Sequence, residues 1–134
     1  MSILVEDSET SANNPVDIQV ETNYLDHQSD PDNQRFVFSY HITISNTGAE
    51  GIKLLSRYWR ITDGDQHTQE VQGQGVVGEQ PEIAPGESFS YTSGTVLPSQ
   101  VGMMEGYYVM RTESGEQFRS PIDPFTLALP HALH

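Results

Sequence analysis

The most constraining feature of this sequence is an alternation of large apolar and smaller polar residues from residue 35 to residue 45. Every second side chain in this stretch is aromatic or β-branched, so an extended chain would present one apolar face and one polar face. The apolar residues are Phe36, Phe38, Tyr40, Ile42 and Ile44. The pattern predicts a half-buried β-strand, and since no stretch of the chain shows a convincing helical period, it favours an all-β fold.

Six more stretches have the short length and flanking turn residues of β-strands. They cover residues 16–22, 51–62, 66–72, 88–97, 106–113 and 116–129. Short strands joined at close intervals by turns are typical of a single antiparallel β-sandwich, immunoglobulin-like or fibronectin type III-like. Within this plan Gly94 is predicted to mark a bulge. Pro121 and Pro124 confine the last strand either to a sheet edge or to a strand that is broken by a bend.

The second strand, residues 51–62, has apolar residues at both parities. We expect Leu55, Trp59 and Ile61 on one of its faces and Leu54 and Tyr58 on the other. Both faces would then be partly covered.

The length and the first residues of the chain bear on domain organisation and location. A chain of 134 residues fits one domain, here residues 1–134, with 1–14 predicted to be a flexible N-terminal segment. The absence of cysteine excludes disulfides and thiolate chemistry. Because residues 1–15 also lack the basic and apolar parts of a signal peptide, we expect a cytoplasmic protein.

The charge balance is strongly acidic. Nineteen Asp and Glu residues against six Lys and Arg residues give a formal net charge of −13. Such a charge repels nucleic-acid backbones and anionic lipid at long range. We therefore predict neither a nucleic-acid partner nor a membrane partner, and the charge suits a basic partner, loosely held divalent cations or simply solubility.

The segment GQGVVG at residues 73–78 has the glycine spacing of a dinucleotide-binding loop. The prolines that follow rule out the helix such a loop requires, no Lys-Ser/Thr pair follows, and residues 61–110 contain no Lys or Arg. Two interpretations stay open: the glycines serve backbone conformation, or Gly73, Gly75 and Gly78 contact a ligand.

Two of the six basic residues lie beside two large aromatic residues in the second strand. Arg57, Tyr58, Trp59 and Arg60 are candidates for a recognition patch, because guanidinium groups bind carboxylates and stack on rings. The alternative is that the two arginines neutralise nearby acids and that both rings, Tyr58 and Trp59, fill the core.

No motif in the chain predicts catalysis or a cofactor. Asp63-Gly64-Asp65 begins like a calcium loop but lacks the glycine and the glutamate that follow in one, so it predicts a turn in which Asp63 bonds its own backbone, with a weak cation contact as the alternative. The five histidines show no metal-binding spacing. We predict no catalytic residue, no metal site and no cofactor.

The run from Arg57 to Thr95, RYWRITDGDQHTQEVQGQGVVGEQPEIAPGESFSYTSGT, resembles the ApaG family, also called CorD. The segment SDPDNQRFVFSYHITISN and the terminal FTLALPHALH are also similar to that family, so the likeness covers nearly the whole chain beyond the first dozen residues. It departs at Asp65-Gln66-His67, where relatives commonly have Asn-Gly-Arg or a similar turn.

The resemblance implies a fibronectin type III-like sandwich, found alone in bacteria and as a domain of eukaryotic F-box and polymerase-delta-interacting proteins, where it mediates protein contacts. It also implies a link to cobalt resistance and magnesium efflux, and a suspected pyrophosphate site at Gly73, Gly75 and Gly78. We predict a non-catalytic protein-binding module whose partner is another protein of undefined identity, with a homo-oligomer left open. The alternative is a nucleotide- or pyrophosphate-binding protein or hydrolase that uses the glycine loop with Arg57 or Arg60.

Overall fold

The structure, a computed structural model, describes residues 15–131. The predicted N-terminal segment 1–14 and His134 lie outside the described residues. Two short 3-10 helices, Asp26–Gln28 and Pro31–Asn33, occupy the polar stretch after the first strand. The strands are β1 (Val16–Tyr24), β2 (Phe36–Asn46), β3 (Ile52–Asp63), β4 (Thr68–Gln74), β5 (Glu82–Ile83), β6 (Ser88–Leu97), β7 (Val101–Thr112) and β8 (Gln117–Ala128).

The strands form two antiparallel sheets that pack as a sandwich. One sheet has the order β1-β2-β6, and the other has the order β4-β3-β7-β8, with β5 paired to one end of β3. The predicted all-β sandwich is confirmed. Within residues 15–131, no helix has the length and apolar character needed to cross a membrane.

The alternation in β2 confirms its prediction as a half-buried strand. Its apolar residues face the core, and its polar side chains pair with those of β6 on the other face. The predicted bulge at Gly94 is wrong, because β6 pairs with β2 in one unbroken register in which Gly94 lies opposite Ser39. The change of parity that suggested a bulge arises because Val96 lies on the outward face.

A bulge does occur in β3, one residue after Leu54. The register with β7 shifts between Leu54 and Ser56, so Leu55 is the extra residue. The shift reverses the facing of the strand, and Leu54 therefore joins Trp59 and Ile61 in the core. The predicted division of β3, with Leu54 opposite to Trp59, is wrong for this reason.

Trp59 lies at the centre of the core and is 2% exposed. Its indole makes edge-on contacts with Tyr40, Phe125 and Tyr108, at ring-centroid distances of 5.5, 5.8 and 6.4 Å. Edge-to-face packing is a preferred aromatic geometry. Because Tyr40 belongs to the three-stranded sheet, Trp59 joins the two layers, and its predicted role as a core residue is confirmed.

Three of the four outermost strands contain a charged residue or a proline. β1 contains Asp17 and Glu21, β4 contains Glu70, and β8 contains Pro121 and Pro124. The position of β8 at the end of its sheet confirms the prediction from its prolines. β6, the fourth outermost strand, contains neither a charged residue nor a proline.

Candidate functional site

The four residues of the predicted recognition patch do not share one surface. After the bulge, β3 alternates regularly, so Arg57 and Trp59 point between the sheets while Tyr58 and Arg60 point outward. Trp59 is buried and cannot form part of an exposed patch. The structure thus divides the predicted patch into an inner pair and an outer pair.

The outer pair joins a group of side chains on β4, β7 and β8. The Tyr58 ring stacks on Tyr107 at 5.0 Å between centroids, and the Arg119 guanidinium lies 4.4 Å from the centre of the Tyr107 ring. The Tyr58 hydroxyl donates a hydrogen bond of 2.7 Å to Glu70. Because that bond stabilises the protonated phenol, it raises the pKa of Tyr58.

Arg57, one of the inner pair, reaches the glycine loop. Its Nη1 donates to the carbonyl oxygens of Gly75, at 2.9 Å, and Gln74, at 3.2 Å. The guanidinium also covers Gly73, where a Cβ atom would lie 2.7 Å from Nη1. Gly73 therefore provides room for an arginine that holds the base of the loop in place.

The glycine loop is a tight hairpin rather than an open phosphate cradle. The backbone groups of Val76 and Glu79 exchange both hydrogen bonds, and the two residues between them, Val77 and Gly78, both have positive φ, at 44° and 82°. Two central residues of positive φ are the pattern of a type I′ turn. The chain continues into β5, so no helix dipole faces the loop.

Two of the three loop glycines are required by the backbone. Gly75 has a φ of 62°, and a Cβ there would collide with the carbonyl oxygen of Glu79. Gly78 has a φ of 82° but faces open space. The structure thus gives Gly75 and Gly78 conformational roles and Gly73 a packing role, and ligand contact by these glycines stays a prediction.

The hairpin forms one wall of a cleft between the two sheets. The cleft has a volume of about 300 Å³ and opens between the hairpin and β6. Its lining consists of Tyr40, Arg57, Trp59, Gln74, Val76, Val77, Gly78, Tyr91 and Ser93. The Tyr91 hydroxyl is hydrogen-bonded to that of Tyr108 at 2.6 Å, and burial raises the pKa of both phenols.

The sequence matches the family model described as the ApaG domain over residues 26–112. The chain belongs to the ApaG family. Protein ApaG of Photobacterium profundum is 53% identical over 126 residues, covering 92% of this chain and 99% of that protein. Protein ApaG of Ectopseudomonas mendocina is 56% identical over 119 residues, covering 89% of this chain and 94% of that protein.

Solved structures support the assignment. A crystal structure from Bordetella pertussis, described as an ApaA protein, superposes with a TM-score of 0.85 at 47% identity and covers 87% of this chain and 94% of that one. A structural genomics target superposes with a TM-score of 0.87 at 48% identity and covers 92% of this chain and 94% of that one. The sandwich described above is therefore also the fold of these two solved structures.

The corner at residues 63–67 is a turn held by its own side-chain hydrogen bonds. Asp63 Oδ1 accepts hydrogen bonds from the amides of Asp65, at 2.8 Å, and His67, at 3.1 Å, as predicted. Gln66 has a φ of 69°, a conformation that suits glycine. Ligand atoms of Asp63, Asp65 and His67 lie within 4.8 Å of one another, so these side chains could reach one cation. However, Asp63 Oδ1 already accepts the two backbone hydrogen bonds of the turn.

Five further residues complete these surfaces, and no local sequence pattern identifies them. Tyr40, Tyr91 and Ser93 line the cleft opposite Arg57, and Tyr107 and Arg119 join Tyr58 on the outer face. The alternation of apolar and polar residues predicts on which face of its strand several of these side chains lie. Their contacts depend on strand pairing, which no local sequence signal supplies.

Proposed function

We propose that this ApaG-family chain is a non-catalytic protein-binding module that accepts an extended segment of another protein along the outer edge of β6. The observation that carries the proposal is the composition of that edge. β6 runs for ten residues without a charge or a proline, and its register with β2 is unbroken. Proteins normally protect an exposed edge with such residues or with a bulge.

The other sheet edges carry the usual protection. Asp17 and Glu21 lie in β1, Glu70 lies in β4, and prolines interrupt β8. An incoming strand would therefore find its best template at β6, where unpaired backbone groups provide affinity and alternate side chains provide specificity.

The cleft beside β6 supplies a place for one of those side chains. Tyr91 and Ser93 of β6 line it on one side, and Val77 and Gly78 line it on the other. Val77 is a β-branched residue at positive φ with 53% of its surface exposed. Residues with a strained backbone cluster at functional sites. The strained and exposed Val77 at the mouth of the cleft therefore supports binding there.

The experiment is a quantitative pull-down from lysate of the source cells with three tagged proteins. Val96→Lys places a charge on β6 at a side chain that is 43% exposed, and Gln19→Lys makes a comparable change on β1, on the same sheet. We expect a partner retained by the wild type and by Gln19→Lys to be lost with Val96→Lys. Equal retention by all three proteins would refute binding at β6.

The family resemblance suggests the class of partner. We propose that the partner acts in the handling of divalent cations, as the link of the family to cobalt resistance and magnesium efflux implies. Cells that carry Val96→Lys in place of the wild-type protein should then show the cobalt sensitivity of a deletion strain, and cells with Gln19→Lys should not. Normal cobalt tolerance in cells with Val96→Lys would show that the β6 edge is not needed for the handling of divalent cations.

A second candidate function is binding or hydrolysis of a phosphate compound at the glycine hairpin. The observation in its favour is that the fold brings Arg57 to the hairpin. A thermal-shift series with ATP, diadenosine polyphosphate and pyrophosphate, with and without magnesium, tests it. Concentration-dependent stabilisation that is lost in Arg57→Gln but kept in Arg35→Gln would support it. No shift with any compound would count against it.

A further inference from the structure

The cleft between the glycine hairpin and β6 has a local charge opposite to that of the whole protein. Among the described residues that line it, Arg57 is the only one that carries a charge at neutral pH. Glu79 belongs to the hairpin, but it is exposed and does not line the cleft. In a chain with nineteen acidic residues, this cleft therefore contains a cation and no carboxylate.

Arg57 keeps hydrogen-bond donors for a ligand. A guanidinium group donates from every one of its nitrogens and accepts from none. Nη1 donates to the loop carbonyls of Gln74 and Gly75, which fixes the position of the group. Within residues 15–131, Nε and Nη2 make no hydrogen bond and Arg57 forms no ion pair. These free donors can bind the two oxygens of a carboxylate, a geometry that suits guanidinium well.

Hydroxyl groups of β6 line the opposite side of the cleft. The Ser93 hydroxyl makes no hydrogen bond with the part of the chain that the structure describes. Tyr91 and Tyr108 use only one of their two hydroxyl hydrogens in the bond between them. Because Tyr91 lines the cleft and Tyr108 is fully buried, the second hydrogen is available to a ligand from Tyr91. Both sides of the cleft therefore present donors.

The cleft has room for a side chain rather than a large ligand. Its volume of about 300 Å³ is at the small end of the range for ligand pockets. Burial raises the pKa of Tyr91 and Tyr108, and the positive charge of Arg57 opposes that rise, so the guanidinium lies within electrostatic reach of both phenols. One carboxylate can satisfy this single cation, whereas a polyphosphate would bring several negative charges to it.

The edge of β6 directs a partner side chain into this cleft. Tyr91 and Ser93 are two residues apart on β6, so they lie on the same face of the sheet. A strand added to the outer edge of β6 places its own side chains beside them on that face, as neighbours across the new strand pair. An inward side chain at this position lies between β6 and Arg57.

We propose that the cleft binds the carboxylate of a Glu or Asp side chain in the segment that adds to β6. This inference rests on the proposed function and deepens it, because it defines one residue of the partner segment. The carboxylate pairs with the free N–H groups of Arg57 and accepts hydrogen bonds from Tyr91 and Ser93. Since a net charge of −13 repels acidic chains at long range, the rest of the segment is neutral or basic.

Fluorescence anisotropy with two labelled peptides tests the proposal. One is Lys-Lys-Val-Thr-Glu-Thr-Val-Lys-Lys, and the other has Gln in place of the central Glu. The wild type should bind the Glu peptide about tenfold more tightly, as expected for charge-assisted hydrogen bonds. Long-range attraction to this acidic protein favours the more basic Gln peptide, so a preference for Glu reports on the cleft.

Variants of Arg57 separate carboxylate binding from its contact with the hairpin. Arg57→Gln should abolish the preference for the Glu peptide, and Arg57→Lys should retain part of it. Ser93→Ala, which leaves the hairpin contacts of Arg57 in place, should reduce the preference about threefold. The matched control is Arg35→Gln, the same charge change at an exposed residue outside the cleft, which should keep the full preference. Equal weakening of both peptides by Arg57→Gln would overturn the proposal.

Val96→Lys, with Gln19→Lys as its control, distinguishes this proposal from strand addition. Equal binding of both peptides that is lost only with Val96→Lys would overturn the carboxylate site and leave strand addition standing. A preference for Glu that depends on Arg57 but survives Val96→Lys would support the carboxylate site and refute strand addition. No binding of either peptide would overturn the carboxylate site. Thermal stabilisation by pyrophosphate that is lost in Arg57→Gln would also overturn it and assign the cleft to a phosphate compound.

Discussion

The hydroxyl oxygens of Tyr91 and Tyr108 lie 2.6 Å apart in the interior, and their hydrogen bond joins the two sheets. Tyr91 belongs to β6 of the smaller sheet and Tyr108 to β7 of the larger one. Each hydroxyl has the other as its hydrogen-bond partner, so removal of one leaves the other largely buried without that partner.

Tyr108→Phe should destabilise the protein by about 1–3 kcal/mol, because it leaves the Tyr91 hydroxyl buried without a partner. Chemical denaturation measures the loss. The double variant Tyr91→Phe with Tyr108→Phe should cost less than the sum of the two single changes, since no unpaired hydroxyl is left. Additive costs would show that the hydrogen bond does not couple the residues.

Stability should fall as the pH rises above 10. Burial raises the pKa of Tyr91 and Tyr108 above the ordinary value of 10.0, so in this range the folded state retains protons that the unfolded chain releases. The stabilisation is complete below pH 10 and is lost progressively above it. Denaturation followed from pH 8 to pH 11 checks the direction, and Tyr91→Phe with Tyr108→Phe should flatten the dependence.

Gly75→Ala should destabilise the hairpin far more than Gly78→Ala. A methyl group at Gly75 collides with the Glu79 carbonyl and also requires positive φ, for a cost of about 3 kcal/mol. At Gly78 it meets open space and requires only positive φ, about 1 kcal/mol. Denaturant midpoints of the two variants give the comparison, and equal costs would contradict the described turn.

Val77→Asn should stabilise the protein by about 1 kcal/mol. Asn tolerates the left-handed conformation at the first central position of a type I′ turn, whereas a β-branched residue is strained there. Thermal denaturation measures the gain. If the strained valine serves the proposed binding site, the stabilised variant should also retain less partner in the pull-down than the wild type.

Asn46→Ala should cost about 3 kcal/mol. The buried Asn46 amide donates to the carbonyl oxygens of Glu50 and Ile83, at 2.8 and 2.9 Å, and its Oδ1 accepts the Gly48 amide at 2.9 Å. Its removal leaves those backbone groups without their partner. Thr47→Ala, at the exposed neighbouring position, is the control and should be close to neutral in the same denaturation assay.

The strands and the fold class follow from local sequence rules. The alternation in β2 and the prolines of β8 predicted a half-buried strand and an edge strand, because period and proline geometry act over a few residues. Trp59 was correctly expected in the core for a similar reason. These features need no knowledge of which strand pairs with which.

The candidate sites needed long-range information. The bulge at Leu55 shifts the pairing by one residue, which no propensity signals, and it decides that Arg57 points inward and Tyr58 outward. The convergence of Tyr58, Tyr107 and Arg119 depends on the pairing of three strands that are distant in sequence. The sequence pattern therefore located Tyr58 and Arg60 but not the surface to which they belong.

Because β6 has an uncharged edge, the net charge of −13 also bears on self-association of the protein. Two copies of the protein could pair their β6 edges, and at low ionic strength mutual repulsion between two strongly acidic bodies opposes that encounter. At 1 M salt the Debye length shortens to about 3 Å, and the repulsion is screened. Self-association that appears only in concentrated salt would then show that the acidic charge of the protein opposes pairing of two β6 edges in dilute buffer.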